Sequence, residues 1–470
     1  MAVHKESPET HSLQRGLSNR HIQLIAIGGA IGTGLFMGSG KTISVAGPSI
    51  LFVYAIIGII IFLVLRAMGE LLLSNMEYKS FSDAAYDILG PKTGYIVGWS
   101  YWFAWVVVGV SDIIAITGYV QFWWADIPKF IPALLLILAL LALNLPSVKN
   151  FGEIEFWFAM IKIVAISALI ITGIIMVITG FTNPTGDRAS VANIWNDGGM
   201  FPRGFSGFLE GFQIALFAFF GAELIGTTAA ETKDPDTTLP KAINAVPLRI
   251  ILFYVLTLAV ILSVTPWRSI NPEHSPFVEM FTLAGLGIAA HVVNFVVLTS
   301  AMSSANSGIF STSRMMYGLA KDGNSPRIFA KLSQKGVPQN ALFLTAVLLL
   351  SALVLLYSGD SIIEAFTVAT TVAALLAMFA WTMITITYII YRNKRPEMNA
   401  RSSYKMPGGV ISCYLIIAFF LAMVFVLAMF EDTRQGLLAL PIWFVLLFAF
   451  WPIARKNQAS LVTEKEAQKK

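Results

Sequence analysis

Glu223, Lys162 and Asp112 each stand inside a long apolar run, in "FFGAELIG", "EFWFAMIKIVAIS" and "VVVGVSDIIAITGY". Charge at membrane depth is costly and marks proton relays, ion paths or ligand contacts. Two readings of Glu223 stand side by side: a protonatable group beside a substrate, or a carboxyl that holds a broken helix by accepting backbone hydrogen bonds. Lys162 reads either as a fixed or titrating cation in the place of a coupling sodium ion or as a lysine paired with a carbonyl or a carboxylate. Asp112 either faces a cavity or pairs with Lys162. Arg66 and Glu70 say less, because charges at helix ends can snorkel to the interface. "LTSAMSSANSGIFSTS" adds Ser303, Ser304 and Asn306, whose hydroxyls and amide suit a helix lining a polar cavity or bonding to its neighbours.

A second kind of chemistry belongs to the backbone. Six glycines, Gly28, Gly29, Gly32, Gly34, Gly38 and Gly40, fall among the fourteen residues of "IGGAIGTGLFMGSG". Each costs a helix roughly 1 kcal/mol against alanine, so the pattern predicts a helix that stops and restarts. "GSGKT" imitates the end of a phosphate-binding loop, but the full motif needs glycine where the chain has Leu35, and a preceding strand. Gly28 and Gly32 also form a close-packing G-x-x-x-G pair, which leaves Gly34, Gly38 and Gly40 unexplained. A second break is expected at Phe220, Gly221, Ala222 and Glu223 in "FQIALFAFFGAELIGTTAAETKDP".

The elements that carry these residues are membrane helices. Of 470 residues, 56% are hydrophobic and 13% charged, against roughly 25% charged in soluble proteins. Apolar stretches recur at the roughly 20 residues needed to cross about 30 Å of hydrocarbon. Twelve spans are expected, at 22–46, 49–74, 95–124, 130–148, 154–179, 207–230, 243–266, 284–318, 339–357, 361–391, 409–430 and 434–454. The alternating ten-residue segments of a transmembrane barrel do not occur. The fold class is an all-α polytopic membrane protein.

Lysine and arginine set the orientation. With a cytoplasmic N-terminus, 25 of them fall on the cytoplasmic side and 6 outside, with Lys162 in the membrane. Both termini are then cytoplasmic. The first span lacks a small-residue cleavage site and reads as a retained helix. The net charge of +5 follows from this loop bias and implies no nucleic-acid partner; the lipid bilayer is the partner surface. A single cysteine, Cys413, excludes a disulfide within one chain. No histidine has metal-ligand spacing and no G-x-S-x-G nucleophile occurs, so neither enzyme, metal nor cofactor is expected.

The two broken spans are the first and the sixth. Five helices separate them, the offset of two five-helix repeats of opposite orientation, and paired breaks of this kind mark a substrate site at the bilayer midplane. A half-helix start offers N–H groups to a carboxylate, and a half-helix end offers carbonyls to an ammonium. A free amino acid carries both charges on one carbon.

These motifs resemble a family. "IGGAIGTGLFMGSG", "FFGAELIGTTAAETKDP" and "SSANSGIFSTSRMMYGLAKDG" are similar to the amino acid transporter branch of the amino acid, polyamine and organocation superfamily, and the likeness runs over nearly the whole chain. The resemblance implies a five-plus-five inverted repeat with discontinuous helices 1 and 6, plus two extra helices. It implies proton-coupled import of small neutral amino acids, with D-alanine, D-serine and glycine expected and cyclic analogues such as cycloserine admitted. By position, Thr33, Gly34 and Gly32 would receive the substrate carboxylate. The carbonyls of Ala30, Phe217, Ala218 and Phe220 would receive the ammonium, with Phe217 where the family often has a gating aromatic. Glu223 and Glu231 match acidic positions of the branch, and Lys162 matches the buried lysine that stands in for sodium. The expected layout is an N-terminal segment 1–20, one transporter domain 21–455 with repeats near 21–180 and 207–392 and extra helices in 409–454, and a tail 456–470.

Overall fold

Irregular backbone facing lipid leaves amide groups unsatisfied, so apolar runs of this length must coil. The computed structural model describes residues 31–78, 80–145, 148–227 and 234–469. Nearly all ordered structure in them is helical; a single bridge pairs Thr182 with Arg188. Nine helical runs among the described residues are long and apolar enough to cross a membrane.

The chain enters with two short helices, α1 (Thr33–Phe36) and α2 (Gly38–Ala46), and turns through Gly47–Ser49 into α3 (Ile50–Ser74). Helix α4 (Phe81–Leu89) opens with a capping box between Ser80 and Asp83, which satisfies amides that the first turn leaves free. Pro91 then starts α5 (Pro91–Gln121), where the missing N–H costs nothing. After α6 (Phe130–Asn144) and α7 (Val148–Thr179) comes a second pair of short helices, α8 (Phe212–Phe217) and α9 (Leu224–Thr227). The rest is α10 (Pro235–Val264), α11 (Pro276–Leu283), α12 (Gly287–Lys321), α13 (Gln339–Ser358), α14 (Ile362–Lys394), the short α15 (Pro396–Arg401), α16 (Gly409–Met429) and α17 (Glu431–Lys469).

The expected spans differ from these helices in three ways, one being that the sixth, 207–230, is divided into short helices, among them Phe212–Phe217 and Leu224–Thr227. The first two merge into one run, Gly38–Ser74, because the joining turn at Gly47–Ser49 is itself helical. The fourth expected span holds only the 15 residues of α6, short of the length that crosses hydrocarbon unaided.

Burial grades the bundle. The apolar window of α5 is 83% buried and that of α14 is 72%, whereas α17 buries only 11%. α5 and α14 therefore form the centre, and the outer face of α17, with Leu438, Ile442 and Val445 exposed, is left to lipid. Trp443 ties α17 to α5, its ring stacked 4.2 Å from Phe103 and its Nε1 donating to Ser100 Oγ at 3.1 Å. At the lysine- and arginine-rich end, Glu70 of α3 is fully buried. It accepts from Tyr388 at 2.7 Å, from the Met406 amide at 2.8 Å and from Asn399. A residue that reads as a snorkelling charge thus locks α3 to α14, α15 and the turn before α16.

Candidate functional site

Helix α1 begins abruptly. Gly32 is extended (φ −130°, ψ −164°), and Thr33 is the first helical residue. The amides of Leu35 and Phe36 bond back to the Gly32 carbonyl at 3.2 and 3.3 Å, so those of Thr33 and Gly34 are the first-turn donors outside that pattern. Met37 keeps right-handed helical angles, and α1 and α2 together make one kinked half-helix. Helix α8 stops at Phe217, Ala218 to Glu223 pass through turns, and α9 restarts at Leu224. Gly221 makes that passage with φ +100°, a conformation side chains with a Cβ rarely adopt.

The start of α1 and the end of α8 meet. A Cβ on Gly34 would lie 2.5 Å from Ala218 Cα, 2.9 Å from its N and 2.9 Å from the Phe217 ring. Only glycine permits so close an approach of the two backbones. Phe217 is buried there, edge-on to Phe366 at 6.0 Å. The Ala218 carbonyl accepts from Tyr254 Oη at 3.0 Å. Phe220 packs against Trp105, Tyr101 and Trp381, with ring centroids 4.9, 6.0 and 6.5 Å away. Tyr101 and Trp105 of α5 are thus packing partners of the second break.

Glu223 makes the hydrogen bonds that its bracing reading calls for. Its carboxylate is fully buried and faces three donors: the Gly221 amide, shared between both oxygens at 3.2 Å, Tyr101 at 3.1 Å and Trp381 Nε1 at 3.2 Å. Those bonds pin the turn of the break to α5 and α14.

Asp112 lies on the other side. It is fully buried on α5, and its Oδ1 accepts from Thr33 Oγ1 at 2.7 Å. Ser304 of α12 also stands beside it, and the same hydroxyl would sit 3.6 Å from a Cβ on Gly32. The Lys162 ammonium acts electrostatically on both Asp112 and Glu155. Ser303 donates to Glu155 at 2.7 Å, and Asn306 accepts from Asn144 Nδ2 at 2.8 Å. Ser300 reaches the Ile31 carbonyl at 3.4 Å. Gly32, Thr33, Gly34, Asp112 and Ser304 therefore gather at the start of α1, with Lys162 acting on Asp112 electrostatically, and Phe217, Ala218, Phe220 and Glu223 gather at the end of α8 and the turns after it. Ser303 and Asn306 face Glu155 and Asn144. Ala30 and Glu231 lie outside the described residues.

Sequence reasoning passed over Glu155, Tyr101 and Trp381. Glu155 carried a usable signal, since it precedes Lys162 by seven residues, two turns along one helix face. Tyr101 and Trp381 carried none, because nothing local tells a ring that donates to a carboxylate from one that only packs.

Comparison with known proteins agrees in scale with these features. A family model described as amino acid permease matches residues 21–462. The chain is 60% identical over 455 residues to the D-serine/D-alanine/glycine transporter of Escherichia coli, covering 97% of each. It is 48% identical to an amino-acid permease of Bacillus subtilis, covering 96% of each chain. A probable threonine/serine transporter of the same organism is 43% identical over 97% of this chain and 98% of its own.

Proposed function

The chain belongs to the amino acid permease family, and from that membership we propose that it imports D-alanine, D-serine and glycine, with D-cycloserine-like analogues, in symport with protons. Membership makes it a multi-pass membrane transporter and not an enzyme. The observation that carries the choice of substrate is the 60% identity, over 97% of both chains, to a transporter named for those three amino acids.

In this reading the amides of Thr33 and Gly34, with Gly32, receive the substrate carboxylate at the positive end of the kinked half-helix. The carbonyls of Ala30, Phe217, Ala218 and Phe220 receive the ammonium. The contact of Gly34 with Ala218 supports the pairing, because it brings a helix start and a helix end within one small molecule's reach. Thr33 Oγ1 is committed to Asp112, so its hydroxyl reports on Asp112 while its amide meets the substrate. A small side chain asks little of the Phe217 wall, which suits alanine, serine and glycine.

Lys162, Asp112, Glu223 and Glu231 are the proton-coupling candidates of this reading. Asp112 and Lys162 have the stronger support, through the bond from Asp112 to Thr33 and the electrostatic reach between the two. The arrangement is the inverted repeat of helices 1–5 and 6–10 with two extra helices, in a domain spanning 21–455. The location is the bacterial inner membrane, with segment 1–20 and tail 456–470 cytoplasmic.

The test is uptake of labelled D-alanine into proteoliposomes under an imposed pH gradient. One proton per substrate and a gradient of one pH unit support about tenfold accumulation. D-serine, glycine and D-cycloserine are expected to compete. Uptake indifferent to collapse of the gradient refutes coupling, and competition by threonine with none by D-alanine refutes the substrate choice.

A further inference from the structure

Buried in the bundle are three ionisable groups where charge balance needs two. Asp112, Lys162 and Glu155 are 0, 1 and 4% exposed, and the lysine interacts electrostatically with both carboxyls. Asp112 belongs to the site described above. Glu155 touches no part of either break. We propose that Glu155 is a second proton-holding partner of Lys162, which receives the coupling proton from Asp112 and passes it toward the end of the bundle where α7 begins. The proposal rests on the proton coupling proposed above.

Geometry carries it. Glu155 and Lys162 lie two turns apart on one face of α7, about 10 Å along the axis, and the ammonium acts electrostatically on the carboxyl. Glu155 is the one nearer the Val148 start of the helix. The two carboxyls are built alike. Asp112 Oδ1 accepts from Thr33 at 2.7 Å, and Glu155 Oε1 accepts from Ser303 at 2.7 Å. The second oxygen of each, Asp112 Oδ2 and Glu155 Oε2, is buried with no hydrogen-bond partner among the described residues. Ionised carboxylate oxygens left unbonded in a low-dielectric interior are expensive, and a bound proton relieves one of them.

Charge arithmetic gives the same count. With all three groups ionised the cluster carries one net negative charge, and one added proton makes it neutral. Two carboxyls of similar construction on either side of one cation hold that proton jointly. The transfer balances within the cluster. The Lys162 ammonium gives a proton to the Glu155 carboxylate, and its neutral amine takes one from the Asp112 carboxylic acid. Asp112 ends as carboxylate, Lys162 as ammonium and Glu155 as carboxylic acid. Only O–H and N–H bonds form and break.

Neighbouring elements add few competing charges. Ser303 and Ser307 of α12 face Glu155, and Ser304 of α12, Thr33 of α1 and Tyr119 of α5 lie by Asp112. Arg314 of α12 lies seven residues, two turns, beyond Ser307 and donates to the Phe310 carbonyl. Helix α6 and the Thr257–Val264 part of α10, which also pack on α7, contain no ionisable residue.

The experiment compares Glu155→Gln and Glu155→Asp with the unaltered protein in proteoliposomes, by two readouts. One is exchange of labelled D-alanine between equal pools at equal pH, measured from pH 5 to 8. The other is accumulation under a one-unit pH gradient. Glu155→Gln is expected to keep exchange within about twofold, since no substrate contact is lost, and to flatten its pH profile. Its accumulation is expected to fall by about tenfold, to that of an uncoupled carrier. Glu155→Asp is expected to restore part of the accumulation. Accumulation by Glu155→Gln equal to the unaltered protein overturns the proposal. Equal loss of exchange and accumulation also overturns it and makes Glu155 a brace for Ser303. An unaltered protein that exchanges substrate yet ignores the gradient overturns the coupling itself, and this proposal with it.

Discussion

Gly34 and Gly32 sit two residues apart at the same helix start, and the geometry assigns their alanine variants opposite outcomes. At Gly34 the new methyl would stand 2.5 Å from Ala218 Cα, where ordinary contact begins near 3.4 Å. Relief requires the two breaks to part by roughly 1 Å, because the opposing atom is backbone and cannot rotate away. Overpacking of this kind costs about 1 to 3 kcal/mol, and a displacement of about 1 Å between groups that orient one ligand is worth on the order of 100-fold in rate. At Gly32 the nearest atom to a methyl is Ser304 Oγ at 3.6 Å. The backbone there, with φ −130°, is extended and open to any residue. Gly34→Ala is therefore expected to lower initial-rate D-alanine uptake by roughly two orders of magnitude and to lower the thermal unfolding midpoint. Gly32→Ala is expected to stay within about twofold of the unaltered protein, as uncrowded substitutions do. Uptake by Gly34→Ala at the normal rate, or a Gly32→Ala variant more damaged than it, refutes the contact between the breaks.

Two further outcomes follow from the same structure. Glu223→Gln keeps the shape of the side chain but turns one acceptor oxygen into a donor facing the Gly221, Tyr101 and Trp381 donors. A loss of about 1 to 3 kcal/mol is expected, read as a lower unfolding midpoint, and an unchanged midpoint contradicts the bracing role. Burial raises the Glu279 carboxyl, on α11 outside the membrane spans, from its usual 4.5 to about 7, against the Asn271 amide bond that lowers it. A carboxyl raised by folding favours the folded state while protonated. Its contribution is full below pH 4.5 and is lost as pH rises toward 7. The limit is about 3 kcal/mol, reduced to about 1 to 2 kcal/mol by partial hydration. Unfolding midpoints at pH 5 and pH 8 should differ accordingly, and Glu279→Gln should shrink the difference. A difference as large in the variant assigns the pH response to another group.

What the chain states locally was legible without coordinates. Hydropathy alone fixes helix and membrane, because lipid leaves the backbone no other way to satisfy itself. The glycine run of the first span and "FFGAELIG" of the sixth announce breaks, and among the described residues a helix starts at Thr33 and another stops after Phe217. The motif resemblance is likewise a property of the string, and it leads to the permease family.

Partnership is different, since a side chain's role depends on what folding brings to it. Thr33 and Asp112 are 79 residues apart in the chain, Ser303 and Glu155 148, and Trp381 and Glu223 158. No periodicity spans such separations. The sequence therefore left Glu223 open between proton carrier and brace, and left Asp112 between cavity and ion pair. Tertiary packing turned Tyr101 and Trp381 onto Glu223 and brought Thr33 onto Asp112. It also buried Glu70, whose place near a helix end reads as solvent-seeking, because Tyr388, Asn399 and the Met406 amide all converge on it. Where the helices break is encoded by residues next to one another, whereas which charges those breaks enclose is decided by helices far apart in the chain packing side by side.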